Sequence, residues 1–293
     1  MIVGVVANIT KEHAFEVVAV FIKKLKENGI EFLLSDELLP QRDLIDKKIT
    51  KSTFTGIDKL CKRSDLIISI GGDGTMLATG FKAQFYDKPV LGVNLGKLGF
   101  LAEVPIDRID NLIEKIKKND YKIEERMIIT GDCVGHNIDP LFAINDLVID
   151  KGGWPKMIEL SITVDGEYVT TFAADGLIIA TPTGTTGYSV SAGGPIVSPL
   201  TDAITLSPIS PHSLSVRPIV LPGFQEIFIK ADSQHKEIHV NCDGQRVFSF
   251  KPPLELRVKK SSRPIKLVST SFTSYFQTLR NKLLWGIDLR KNK

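Results

Sequence analysis

Asp73 stands alone among glycines. The run Gly71-Gly72-Asp73-Gly74-Thr75 follows directly on the apolar stretch Leu66-Ile67-Ile68-Ser69-Ile70, and a helical pattern starting at Thr75 follows it. Glycine lets the backbone bend through angles closed to other residues and brings N–H groups close to a ligand. A helix beginning there aims the positive end of its dipole at the same point. That arrangement suits phosphate. An ionised carboxylate in its midst repels phosphate unless it handles a proton or a Mg²⁺ ion. The run therefore reads in two ways, which weigh equally when it is taken alone. It is a phosphoryl-transfer loop with Asp73 at work, or a tight strand-to-helix turn with Asp73 as an N-cap.

A second constellation shifts that balance. Asp175-Gly176-Leu177-Ile178-Ile179-Ala180 runs into a stretch from Thr181 to Pro195 that holds four glycines and seven hydroxyl-bearing side chains. A connection needs far fewer. Its hydroxyls offer neutral donors and acceptors, and Tyr188 offers a face for a base or a sugar. Ligand binding is favoured here over a self-bonded surface loop. Asn145-Asp146 interrupts an otherwise apolar strand, Phe142-Ala143-Ile144 and Leu147-Val148-Ile149, so one of the two faces an interior that must satisfy it. For Asp243-Gly244-Gln245 the simple hairpin turn is the stronger reading. Two familiar signatures fail. Gly92-Val93-Asn94-Leu95-Gly96-Lys97-Leu98 is one residue too short for a Walker A loop and lacks its hydroxyl, and the dinucleotide fingerprint fails at Leu77.

These residues need elements to hold them. The 293-residue chain suffices for one large or two medium domains. Up to about residue 125, strand and helix patterns alternate. Strands are expected at Ile2 to Ala7, Ile30 to Leu34, Leu66 to Ile70 and Val90 to Asn94. Helices are expected at His13 to Asn28, Thr55 to Lys62, Thr75 to Phe81 and Ile109 to Lys117. This predicts a Rossmann-like, doubly wound parallel α/β domain over residues 1–125, in which ligands sit beyond the carboxyl ends of strands. Short strand patterns then recur, from Met157 to Val164 through to Leu254 to Val258. They predict a β-rich, sandwich-like domain over 126–270. A last helical pattern, Ser274 to Leu289, returns to the first domain, which therefore includes 271–293.

A formal charge of +3 is too small to argue for nucleic acid or an anionic membrane surface as partner. Three widely spaced cysteines, Cys61, Cys133 and Cys242, read as buried or free thiols in a reducing compartment. The N-terminus reads as a strand rather than a signal peptide, and no apolar stretch reaches membrane-spanning length. The expected location is the cytoplasm.

Together the motifs resemble the NAD kinase family over nearly the whole chain. The resemblance rests on Gly71 to Thr75, Gly92 to Leu101, Asn145-Asp146, Asp175 to Pro195, Asp202 to Leu206 with Pro211-His212, and Asp243-Gly244-Gln245. It implies transfer of the γ-phosphoryl group of ATP to the 2′-hydroxyl of the adenosine ribose of NAD, giving NADP, with Mg²⁺ or another divalent cation on the donor phosphates. It assigns Asp73 the role of proton acceptor, beside the phosphate loop of Gly71, Gly72 and Thr75, and places Gly74 at the dinucleotide. Asn145 and Asp146 match the pair that binds adenosine. Lys156, Ala173, Asp175, the run Thr186-Gly187-Tyr188-Ser189-Val190-Ser191 and Gln245 match further dinucleotide contacts. The metal-binding residues are not assigned.

The chain departs from the family pattern in places. Asp146 stands where many relatives carry Glu, Thr185 where Ser is frequent, and Gly187 where Ala is usual. Ala173 stands where some ATP-restricted relatives carry Arg, which leaves open whether polyphosphate replaces ATP. The resemblance also implies a homodimer or homotetramer built through the β-rich domain. Two other readings remain: a diacylglycerol- or sphingosine-type lipid kinase sharing the glycine-aspartate loop, and a non-catalytic dinucleotide-binding regulator. A lipid kinase predicts a basic amphipathic helix, which the sequence lacks.

Overall fold

The computed structural model describes residues 1–96 and 99–284. The chain divides into two compact units, Met1–Glu124 with the segment from Ile265 onward, and Glu125–Pro264.

The first unit alternates strands and helices. Its strands are β1 (Ile2–Ala7), β2 (Glu31–Ser35), β3 (Phe54–Thr55), β4 (Leu66–Gly71), β5 (Val90–Asn94), β6 (Val104–Pro105) and β7 (Lys122–Arg126). Its helices are α1 (Ala14–Glu27), α2 (Arg42–Ile45), α3 (Ile57–Arg63), α4 (Asp73–Ala83) and α5 (Ile109–Lys118). The sheet order is β3-β2-β1-β4-β5, then the strand Ile265–Ser269, then β7, with β6 also on β5. The pairings among β1 to β6 are parallel. Every residue of β4 and β5 is buried, as strands covered on both faces require. Helix α1 turns Val17, Val18, Phe21, Ile22 and Leu25 into the core. It ends at Asn28, and Gly29 takes the positive φ of 65° that a helix stop needs.

The strand order reverses between β1 and β4. In doubly wound sheets the crevice for ligands lies at that reversal, beyond the strand ends. The glycine-aspartate run begins at the carboxyl end of β4.

The second unit is an antiparallel sandwich. Its strands are β8 (Ile129–Cys133), β9 (Leu141–Ala143), β10 (Asp146–Asp150), β11 (Ile158–Val164), β12 (Glu167–Ala174), β13 (Gly176–Ala180), β14 (Ala203–Ile209), β15 (Ile219–Pro222), β16 (Ile227–Asp232), β17 (Ile238–Cys242), β18 (Arg246–Phe250) and β19 (Leu254–Lys260). One sheet runs β15-β14-β13-β10-β17-β18, the other β12-β11-β16-β19-β8-β9. Leu147, Ile149, Leu177 and Ile179 from the first sheet pack with Leu160, Ile162, Ile229 and Leu256 from the second in one core. The expected turns are present: Asp165 and Gly166 join β11 to β12, both with positive φ, as the twist of a two-residue hairpin demands.

Two expectations need correction. Ile265–Ser269 was assigned to the β-rich segment but pairs in parallel with β5 in the first unit. Residues 142–149, expected as one interrupted strand, instead fall in two, β9 and β10, in different sheets. The closing helix spans Tyr275–Leu283; the remainder of the expected helical pattern, 285–289, lies outside the described residues, as do Lys97 and Leu98. Among the described residues no helix is long and apolar enough to cross a membrane. All three cysteines are free and buried.

Candidate functional site

In the first unit, Gly72 caps α4 and Asp73 is the first helical residue. None of Gly71, Gly72 and Gly74 has a positive φ, so freedom of angle is not what selects glycine here. Space is. A Cβ on Gly71 would lie 2.3 Å from Thr75 Oγ1, whereas one on Gly72 would meet nothing within 4 Å. Gly72 therefore leaves the backbone open to a ligand.

Asp73 is tied to the second glycine motif. Its Oδ1 accepts the N–H groups of Leu101 at 3.0 Å and Ala102 at 3.1 Å, and its Oδ2 accepts that of Phe100 at 2.9 Å. A Cβ on Gly99 would lie 1.8 Å from Asp73 Oδ1, so a side chain there would collide with the carboxylate. Asn94, at the end of β5, accepts from Gly96 N–H at 2.7 Å and donates to Ala102 O at 3.4 Å. Phe100 and Leu101, the end of a stretch that in sequence is a failed Walker loop and a family mark, are thus gripped by Asp73 together with Ala102. From the closing helix, Lys282 places its Nζ 3.6 Å from Asp73 Oδ2 and 5.3 Å from the Phe100 ring centre.

In the second unit, the link between β9 and β10 carries Asn145, followed by Asp146 as the first residue of β10. Asn145 O accepts from Thr181 N–H at 2.8 Å, and Thr181 Oγ1 donates to Ile144 O at 2.6 Å. A Cβ on Gly184 would fall 2.0 Å from Asn145 O, so the Thr181 run packs against this link through a glycine. Gly187 lies alongside, its notional Cβ 3.9 Å from Asn145 Nδ2 and 4.0 Å from Asp146 Oδ2.

Most hydroxyls of that run are committed inward, against the sequence expectation of a ligand-facing loop. Thr181, Thr185 and Ser189 are fully buried. Thr185 Oγ1 donates to Pro182 O and accepts from Val197 N–H, Thr186 Oγ1 donates to Thr183 O, and Ser189 Oγ lies 2.9 Å from Ser207 Oγ. In this run and the link it packs on, the buried Asn145 Oδ1 and Thr183 Oγ1 have no hydrogen-bond partner. Such atoms are costly unless a ligand or water reaches them. Tyr188 opens the one-turn helix α6 (Tyr188–Ser191) with its ring about half exposed.

Asp243 was undervalued in the sequence. Its carboxylate is buried in the hairpin turn and accepts from Ile144, Asn145 and Asp146 N–H, which brings it beside Asp146. Burial first, and the Asp243 charge second, push the Asp146 carboxyl up to about 7. Burial also raises Asp243, against the pull of its N–H partners and Arg246. The available signal was the Asp-Gly pair, but that pair marks a turn without revealing where its carboxylate points.

The other expected contacts fall elsewhere in this unit. Lys156 and Ala173 line one open cavity of about 550 Å³ with Trp154, Glu159, Asp232 and Gln234, and Lys156 Nζ donates to Gln234 Oε1 at 3.4 Å. Asp175 does not line it; its carboxylate accepts from Lys151 at 2.6 Å. Gln245 closes the turn through its N–H to Cys242 O.

Residues 3–121 match the ATP-NAD kinase N-terminal domain and residues 144–270 the ATP-NAD kinase C-terminal domain. The NAD kinase of Geotalea daltonii is 39% identical over 89% of this chain and 93% of its own length. The chain belongs to the NAD kinase family. That of Chlorobium phaeovibrioides is 36% identical over 98% of this chain and 99% of its own length. Among solved structures, yeast NADH kinase complexed with NADH superposes with a TM-score of 0.90 at 27% identity, over 100% of this chain and 90% of that one. An NAD kinase from Archaeoglobus fulgidus in complex with ATP gives 0.72 at 26% identity, over 97% of both chains. NAD kinases are phosphotransferases, and the parallel sheet, the sandwich and the closing helix described above are those of this family.

Proposed function

We propose that the chain transfers the γ-phosphoryl group of ATP to the 2′-hydroxyl of the adenosine ribose of NAD, giving NADP and ADP. The observation that carries this reading is the buried, partnerless carboxamide oxygen of Asn145, set among Asp146, Gly184 and Gly187 in a chain of this family. An amide oxygen and a neighbouring carboxylate form an acceptor pair suited to amino and hydroxyl donors of an adenosine. Thr183 Oγ1 adds a second unused group, and Tyr188 a face for stacking. Asp175, Lys156, Ala173, Ser191 and Gln245 are assigned to the remainder of the dinucleotide. The NADH and ATP named for the two structural neighbours agree with this acceptor and donor.

Asp73 is assigned the proton. A ribose hydroxyl attacks poorly unless its proton leaves as the new P–O bond forms and the bond to ADP breaks, a contribution of about 10²–10⁴ in rate. Oδ1 already accepts two N–H bonds, whereas Oδ2 accepts one and has Lys282 Nζ at 3.6 Å, beyond hydrogen-bond reach, so a lone pair on Oδ2 is the one to receive it. The N–H bonds fix the carboxylate in place, which is the orientation such a base needs. The open backbone at Gly72 and the start of α4 suit the donor phosphates.

Among the described residues no group of three His, Cys, Asp or Glu side chains could hold a metal ion. A protein cage for Mg²⁺ does not fit these residues, so the ion is assigned to the ATP phosphates themselves, where it neutralises charge. A homodimer or homotetramer is proposed on the resemblance, to be read by sedimentation.

Purified protein given NAD, ATP and Mg²⁺ is expected to form NADP, followed by a coupled dehydrogenase assay. A parallel arm with polyphosphate reads the donor range. No NADP with either donor sinks the reading.

A further inference from the structure

Ile144 and Asn145 belong to neither β9 nor β10, so no ladder serves their N–H groups. Buried N–H groups need partners. The turn between β17 and β18 supplies them. Asp243 Oδ2 accepts from Ile144 at 3.2 Å, and Oδ1 accepts from Asn145 at 2.7 Å and Asp146 at 3.3 Å. In return Asp243 N–H donates to Asp146 O at 3.0 Å. Arg246, the first residue of β18, reinforces the grip. Its Nη2 donates to Phe142 O at 2.7 Å and lies 3.3 Å from Asp243 Oδ2, and its guanidinium sits 4.8 Å from the Phe142 ring centre.

A hairpin turn alone does not require this. Asp243 has φ 56°, a conformation Asn adopts as readily as Asp. Its side chain is only 2% exposed, and burying a carboxylate costs more than burying an amide. What the position demands is a group that only accepts, because three converging N–H donors leave no place for an amide NH₂.

We infer that Asp243 is a positioning residue for dinucleotide recognition: braced by Arg246, it fixes the crossing between the two sheets so that Asn145 and Asp146 present their side chains to the adenosine. The inference rests on the function proposed above. Asp243 itself touches no substrate. It shapes the affinity for NAD and leaves the donor side of the reaction alone.

Steady-state kinetics of Asp243→Asn test it, with NAD and ATP varied separately. The expected result is a KM for NAD raised about tenfold, as loss of hydrogen bonds to a charged group implies. The KM for ATP and kcat stay within about twofold of wild type. A loss of folded protein lowers the apparent kcat and leaves both KM values alone, so a rise confined to the KM for NAD separates positioning from mere folding. Arg246→Lys keeps the charge but loses the planar fork, and is expected to raise the KM for NAD in the same direction by less. The inference is overturned if Asp243→Asn leaves the KM for NAD unchanged, or raises both KM values alike. It is equally overturned if Asp243→Asn fails to fold while a folded Arg246→Lys is kinetically wild type. Wild-type protein that forms no NADP overturns the function instead, before any variant is compared.

Discussion

Asp73 and Asp146 are carboxylates beside glycines, and their surroundings set them to different work. Asp73 is held by three N–H groups with Lys282 nearby. Asp73→Asn is expected to lower kcat by about 10²–10⁴ while calorimetry still detects NAD binding; near-normal turnover removes Asp73 from the role of base. Asp146 is buried beside a second carboxylate, and its pKa rises from 3.8 to about 7. The folded protein therefore keeps a proton that the unfolded chain releases between those values. Its contribution to stability is fully present below about pH 4 and is lost as the pH climbs to about 7. Asp146→Asn removes that dependence. Its melting temperature is expected to gain on wild type at pH 8 more than at pH 4, and equal differences at both pH values refute the assignment. Asp73 was legible in the sequence because the glycines that flank it are local, whereas its N–H partners at 100–102 and Lys282 were not. The pairing of Asp146 with Asp243 was not, because 97 positions separate them and nothing along the chain declares their contact.

Among the elements, helices α1, α3, α4 and α5 and the hairpin turns were legible from period and turn chemistry, whereas α2 and α6, of four residues each, are too short to show a period. The crossing at 141–150 was not: apolar residues on both sides of Asn145-Asp146 look like one strand, and local pattern does not say which sheet a strand joins. The Thr181 run was legible only in part. Hydroxyls advertise ligand binding and internal capping equally, and here Thr181, Thr185 and Ser189 cap. Two glycines in that run make a contrasting pair. Gly184→Ala forces a Cβ to within 2.0 Å of Asn145 O, and a loss of about 1–3 kcal/mol in denaturant unfolding is expected. Gly187→Ala meets Gly184 O at 3.2 Å, a contact a small shift relieves, and touches Asn145 and Asp146 at ordinary van der Waals distance, so its stability is expected to stay within about 0.5 kcal/mol of wild type. If both substitutions cost the same, the packing of the run on Asn145 is not as described.

At the scale of the whole molecule, each unit has its own apolar core, one drawn from β1, β4, β5, α1 and α5 and the other from the two sheets of the sandwich. The sequence made the change of texture near residue 125 visible. It did not reveal that Ile265–Ser269 belongs to the earlier sheet, since a strand late in a series of strands carries no mark of its partners. That strand lies between β5 and β7, and Leu267 pairs with Val90. The consequence concerns birth rather than function. As the polypeptide leaves the ribosome, β5 has β4 and β6 early but must wait through the making of the entire sandwich before the strand that pairs at Val90 emerges. For that interval Val90 and Leu91, both destined for complete burial, border an unfilled slot in an unfinished sheet, the kind of edge on which nascent chains clump together unless a chaperone shields it.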